Sequence, residues 1–358
     1  MFDHTHYVPI LRWKRAERWA LADLPHSTCD VITPLFEPTT WAFADTKKRK
    51  TLESKISNIA EDLLQYWGQD PFFMDFGLVP ANARSYAGRD SFLLMAKEAR
   101  SQQLHLIPVT GLGRGQAVQS AVKEVISTDG YGACFRLFRN DLGDAAVQTH
   151  ITNLLTELQI QPNNVDLIVD LQCVDQITPD YASLIRQVPF LDNWRTFTVA
   201  GGALPKDLSD FDPGKGLHPR WEWRKWCECI QARETPRLPS FADYTIQHPL
   251  FEEPPDGAAP SASIRYTTDE DWVIIRGLSV RRDDANGFQQ WPANAEILCM
   301  QPEFLGAAFS EGDRYIEEMS KQTAHPGNAE SWLRAGFNHH VIFVVQQLAT
   351  LFGTAIAA

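Results

Sequence analysis

Short apolar runs rich in β-branched residues recur along the first two thirds of the chain. Each is followed by a segment of helical period. The runs cover residues 7–11 (YVPIL), 31–37 (VITPLFE), 72–77 (FFMDFG) and 105–111 (HLIPVTG). Four more follow at 133–138 (ACFRLF), 166–173 (DLIVDLQC), 196–203 (TFTVAGGA) and 243–247 (DYTIQ). Runs that stay apolar rather than alternate are the pattern of parallel strands buried on both faces. Between them, Leu52, Ile56, Ile59, Leu63 and Trp67 fall at steps of three or four, as do Val147, Ile151, Leu154, Leu155 and Leu158. Val118, Ala121, Val122 and Val125 repeat the pattern more weakly. Each set makes one apolar helix face. Eight strands with intervening helices predict an α/β fold, a (β/α)8 TIM-like barrel over residues 1–250, ahead of an open doubly wound sheet.

The repeat stops near Pro249. Residues 251–262 are rich in Pro, Gly and acid without apolar period, and are expected to be a linker. Residues 263–358 then read as a C-terminal α+β extension packed on the barrel. It opens with a hairpin, 264–267 and 272–278, joined by an acidic turn, and ends in an apolar helix over 341–352.

Composition narrows the class. A 358-residue chain with 44% hydrophobic and 22% charged residues is ordinary soluble-protein material. The net charge of −12 argues against an extensive nucleic-acid surface or an anionic-membrane coat. No apolar run approaches a membrane span, and no signal peptide is evident, so a cytoplasmic protein with no membrane partner is expected. The six cysteines show neither zinc spacing nor a disulfide framework, which suits a reducing compartment. The basic run at 46–50 (TKKRK) reads as a solvated helix face, and the tryptophans of 220–226 (RWEWRKW) as helix packing.

Several segments resemble the phage and bacterial beta protein family. At the N-terminus these are 7–14 (YVPILRWK), the helix beginning at Glu17, and 32–37 (ITPLFE). At the C-terminus they are 264–267 (IRYT), Arg276-Gly277, Gly312-Asp313, Trp332-Leu-Arg334 and 335–341 (AGFNHHV). The family usually continues its lysine as Lys-x-Gly-Glu, whereas this chain has Lys14-Arg-Ala-Glu17. The resemblance implies a barrel and a setting of phage–host conflict, with a protein partner in a defence or phage complex. It supplies no reaction.

Candidate chemistry follows from the barrel itself, whose functional groups gather at the C-terminal ends of the strands. Lys14 follows the first strand, Glu37 closes the second, Asp75 lies late in the third, Arg136 in the fifth and Asp170 in the sixth. Charges inside strands buried on both faces are costly unless paired or liganded. These five are the candidate catalytic residues. Glu37, Asp75 and Asp170 would hold Mg2+ or act as acid and base, and Lys14 and Arg136 would neutralise developing charge. Lys14 as a Schiff-base nucleophile is the mechanistic runner-up. For anion binding, the turns Gly111-Leu-Gly113-Arg114-Gly115 and Gly201-Gly202 offer backbone N–H groups, and Arg265 and Tyr266 would join them if the extension covered the mouth. The expected ligand is an anionic small molecule or nucleotide carrying phosphate or carboxylate. Metal-assisted phosphoester or nucleotide hydrolysis is the first expectation, and recognition without turnover is the alternative. His4 and His6 precede the first strand and so belong to the opposite face.

Overall fold

The computed structural model describes residues 2–39, 52–79, 85–86, 89–252, 261–281, 287–321 and 325–354. The basic run at 46–50 and most of the expected linker, 253–260, lie outside these residues. Eight parallel strands close into a barrel: Tyr7–Arg12, Leu35–Glu37, Phe72–Met74, Leu106–Thr110, Ala133–Phe138, Val165–Cys173, Thr196–Gly202 and Ser240–Asp243. The ring shuts where the first strand pairs with both the second (Ile10 opposite Leu35) and the eighth (Tyr7 opposite Phe241).

Successive strand residues point in and out, and this alternation builds the interior in layers. Val8, Ile10, Phe73, Ile107, Cys134 and Ile168 form an apolar lower layer. One alternation step further along their strands come Arg12, Asp75, Arg136 and Asp170, all buried. The layer that faces the strands' C-terminal ends is therefore charged. Outside, the helices expected from periodicity are present at Leu52–Tyr66, Gln116–Asp129 and Val147–Leu158, with Ile56, Leu63, Val122 and Ile151 fully buried against the strands.

The eighth strand ends earlier than the apolar run suggests. It covers Ser240–Asp243 rather than 243–247. Asp243 accepts a hydrogen bond from the Thr245 amide through Oδ1 at 2.9 Å, and Thr245 turns to φ 55°. That conformation is uncommon for a β-branched residue and terminates the ladder. A further strand, Gly214–Pro219, is hidden in sequence because GKGLHP carries two glycines and a proline. It leaves the connection between the seventh and eighth strands and pairs antiparallel with Asp271–Arg276, which pairs with Ile264–Thr267. The three-stranded sheet of the C-terminal extension thus borrows one strand from the barrel's own sequence.

The extension sits on the flank of the barrel. Its last helix, Ala329–Phe352, packs on Arg15–Ala22 and the first strand, in the place a helix after the eighth strand would fill. Asn328 caps it through the Ser331 amide. Adjacent histidines tie it down in two directions. His339 bonds to Asp313 at 2.8 Å and to the Thr267 carbonyl at 2.9 Å. His340 reaches Asp243 Oδ2 at 3.0 Å and the Thr267 hydroxyl at 2.8 Å, and Tyr7 donates to the same Asp243 at 2.6 Å. Burial lowers the proton affinity of His340, so the imidazole joins this network neutral. Arg220, at the N-cap of the helix Trp221–Ala232, is fully buried, donating to the Thr268 carbonyl and to Gln347. Beside it lies Glu222, with Nε to Oε1 at 3.6 Å. Trp223 and Trp226 are buried on that helix, as packing predicts.

Burial raises both Glu17 and Glu222 from the ordinary 4.5 to about 7. A carboxyl that holds its proton more tightly when folded adds stability fully below its unfolded pKa, and the contribution is lost as pH rises through the folded value. The melting temperature is therefore expected to fall between pH 5 and pH 7.5. Glu222→Gln should flatten that fall, Glu222 accounting for roughly 3 kcal/mol at most. An unchanged pH profile in the variant would show that Glu222 does not titrate there.

Candidate functional site

Arg136 stands at the centre of the barrel mouth. Its Nη1 donates to Glu37 Oε1 at 2.7 Å and to Asp75 Oδ2 at 2.8 Å. Nε and Nη2 both reach Asp170 Oδ2, at 2.9 and 2.7 Å, and Nη2 also meets the Tyr244 hydroxyl at 2.9 Å. Tyr244 in turn donates to Asp170 Oδ2 at 2.5 Å. Burial works against the charge of Arg136, but Tyr244, Glu37, Asp170 and Asp75 override it and raise its pKa well above the ordinary value. Burial, then the charge of Asp170, pushes the Tyr244 phenol well up, so it stays a donor. For Asp75, the charges of Arg114 and Arg136 outweigh burial and hold the carboxyl below its usual range.

The aspartates are fixed by a repeated local device. Asp75 Oδ1 accepts from the Gly77 amide at 2.7 Å, and Asp170 Oδ1 from the Gln172 amide at 2.8 Å, as Asp243 does from Thr245. Each strand end thus turns back on its own aspartate, an Asx-type closure. Gln172 takes φ 56° to do so. Arg114 comes from the turn after the fourth strand and grips Asp75 with Nη2, at 2.7 and 2.8 Å to its two oxygens. At Gly77 a Cβ would lie 2.5 Å from Arg114 Nη1, so a larger residue there would push the guanidinium from its present position. Glycine is required at 111, where a Cβ would lie 2.4 Å from the Arg136 carbonyl oxygen, a backbone atom that cannot swing aside.

A cavity of about 380 Å3 opens above this network. Charged and backbone groups of Glu37, Asp75, Gly111, Gly113, Arg114 and Arg136 line one part. Gly77, Leu78, Phe138, Gln172, Tyr244, Pro249, Leu250 and Phe251 line the rest. The segment from Gln247 to Phe251 is held over the mouth by Arg12, which donates to Gln247, to the His248 carbonyl at 2.7 Å and to the Pro249 carbonyl at 2.9 Å. The Phe251 ring packs under two cations, Lys14 Nζ at 4.7 Å and the Arg12 guanidinium at 5.1 Å.

The structure therefore brings together Glu37, Asp75, Arg136 and Asp170, with Arg114, Gly111 and Gly113 beside them. It corrects the other assignments. The carboxylates do not form an open metal-ligand set, because one guanidinium occupies the point they share. Among the described residues no group of three or more His, Cys, Asp and Glu could hold a metal ion. Lys14 is not among the residues lining the cavity; its Nζ lies over the Phe251 ring, 4.7 Å from the centroid. Gly201 and Gly202 are packing glycines: a Cβ at 201 would lie 2.6 Å from Val174, and one at 202 would lie 2.8 Å from Pro249. Because the extension covers the flank rather than the mouth, Arg265 bonds instead to the Ile246 carbonyl at 3.3 Å. Tyr266 is buried in the extension, donating to Asp313 at 2.7 Å. His6 lies at the opposite end of the barrel, lining a cavity of about 780 Å3 and bonded to Thr33 at 2.9 Å.

Sequence reasoning missed Arg12, Phe138, Tyr244 and Phe251. Arg12 and Tyr244 follow apolar runs at inward-facing register, a signal equal to the one that marked Glu37. Phe138 and Phe251 read as core and linker, and only closure of the barrel puts them on a cavity.

Removing Arg136 would leave three buried carboxylates facing one another. Arg136→Met is expected to lose about 3–5 kcal/mol of stability at pH 7. Part should return near pH 4.5, where protonation relieves the repulsion. Denaturant titration at the two pH values checks this, and a variant as stable as the wild type at pH 7 would contradict it.

No helix of the described residues is long and apolar enough to cross a membrane. No protein of curated function matches the sequence. Among solved structures the chain is similar to a GH18 chitinase from Pseudoalteromonas aurantia, at 11% identity and a TM-score of 0.36, covering 66% of this chain and 92% of that one. The profile of the Beta protein family matches residues 7–346, nearly the whole length. The chain belongs to the Beta protein family.

Proposed function

We propose that the barrel mouth binds a small molecule carrying a phosphate or carboxylate group, and that its primary role is recognition. The observation that carries this reading is the state of the charges around the cavity. Replacing a buried ionic cluster by apolar side chains is often neutral or stabilising, so stability alone is a poor reason for the cluster around Arg136. Its four members instead make a polar floor under an open volume, with the carboxylates engaged by Arg136 and, among the described residues, no metal-ligand set left.

The anion has a specific receiver. Arg114 is fixed by Asp75 through Nη2, while among the described residues its Nε and Nη1 donate no hydrogen bond. The turn at 111–115 continues directly into the helix Gln116–Asp129, whose positive end adds to that guanidinium. A protein partner and a setting of phage–host conflict belong to the same proposal, and family resemblance is what supports them.

A second reading has one observation in its favour. Glu37 lines the cavity and bonds Arg136 through Oε1 only, its other oxygen taking no hydrogen bond among the described residues. That oxygen is placed to accept a proton, so acid–base hydrolysis without a metal is the catalytic alternative.

Calorimetric titration with ribose 5-phosphate tests the first reading. Binding is expected for the wild type and at least about tenfold weaker binding for Arg114→Ala, since charge-assisted hydrogen bonds contribute about 1.5–3 kcal/mol. Equal affinities would contradict the assignment of Arg114. Turnover of a phosphoester by the wild type, lost in Glu37→Gln while binding persists, would favour the second reading.

A further inference from the structure

The cavity has a second half that an anion does not use. Pro249, Leu250 and Phe251 follow the eighth strand, across the ring from the glycine turn after the fourth, and give it an apolar wall, while Leu78 and Phe138 line it from the strands flanking that turn. Two of those residues are aromatic, and each has a cation within cation–π distance of its ring. The Arg136 guanidinium lies 5.4 Å from the Phe138 centroid, and Lys14 and Arg12 lie over Phe251. A cation on one face draws ring electron density toward it and leaves the other face better suited to an electron-rich π system. Purine bases are such systems, and base–aromatic stacking is a recurrent means of holding them.

The polar groups between the two walls suit the middle of such a ligand. Glu37 offers a carboxylate oxygen that accepts no hydrogen bond among the described residues, and Gln172 lines the same cavity with an amide that both donates and accepts. Aromatic wall, hydroxyl acceptor and cationic turn then match base, ribose and phosphate. A polymer fits less well, because the chain carries a net charge of −12.

Resting on the anion-site reading above, we infer that the barrel mouth takes a free purine mononucleotide, its base stacked on Phe251 and its phosphate at Arg114. Phe251 is the specificity-determining residue for the base. Arg12 and Lys14 both lie over its ring.

The experiment compares AMP, GMP, ribose 5-phosphate and inorganic phosphate by calorimetry on the full chain, with wild type, Phe251→Ala and Phe251→Leu. The leucine variant keeps apolar bulk and removes only the π face, and circular dichroism confirms that each variant is folded. AMP or GMP is expected to bind at least about tenfold tighter than ribose 5-phosphate. Both Phe251 variants should erase that advantage while leaving ribose 5-phosphate affinity within about twofold. Equal affinity for AMP, GMP and ribose 5-phosphate, all lowered by Arg114→Ala, would overturn the base platform and leave the anion site standing. Failure of all four probes to bind the wild type would overturn both.

Discussion

One guanidinium organises the mouth of this barrel. Arg136 is buried at the end of the fifth strand and shared by Glu37, Asp75 and Asp170, which arrive from the second, third and sixth. A charge in that position must be paired, and a single carboxylate would satisfy it. Three carboxylates and a phenol instead lock four strand ends into one geometry. The cavity above therefore has a floor whose donors and acceptors are already oriented before anything binds, which reduces the ordering a ligand must impose.

The rest of the architecture keeps that floor in place. The extension closes the ring of helices at the first and eighth strands, with His340 and Tyr7 converging on Asp243. Asp243 belongs to the same strand end that supplies Tyr244 to Arg136. Docking of the last helix and the shape of the mouth are thus linked through two consecutive residues that face opposite sides of one strand. Arg12 makes a second link, since it draws the chain leaving the eighth strand back over the cavity.

Much of this was legible in the sequence because barrel strands are buried on both faces, so charged residues within them stand out. Glu37, Asp75, Arg136 and Asp170 were visible for that reason, and alternation alone places them on one side. What was not legible was pairing. The run of residues does not reveal that the acids would converge on Arg136, because that depends on the closure of strands far apart in sequence. The same holds for Gly201 and Gly202, whose role is set by Val174 and Pro249 packing against them. Gly214–Pro219 escaped notice because antiparallel pairing with Asp271–Arg276 overrides its poor intrinsic strand preference. The flank position of the extension followed from a gap in the helix ring, which no local pattern announces.

The central claim is that the network around Arg136 and Arg114 is the floor of a ligand site. A crystal structure of the full chain soaked with AMP tests it most directly. The account predicts density in the mouth, with phosphate oxygens within hydrogen-bond distance of Arg114 Nε or Nη1 and the Arg136 network unbroken beneath. Density confined to the opposite cavity around His6, or a mouth empty at saturating AMP, would contradict it.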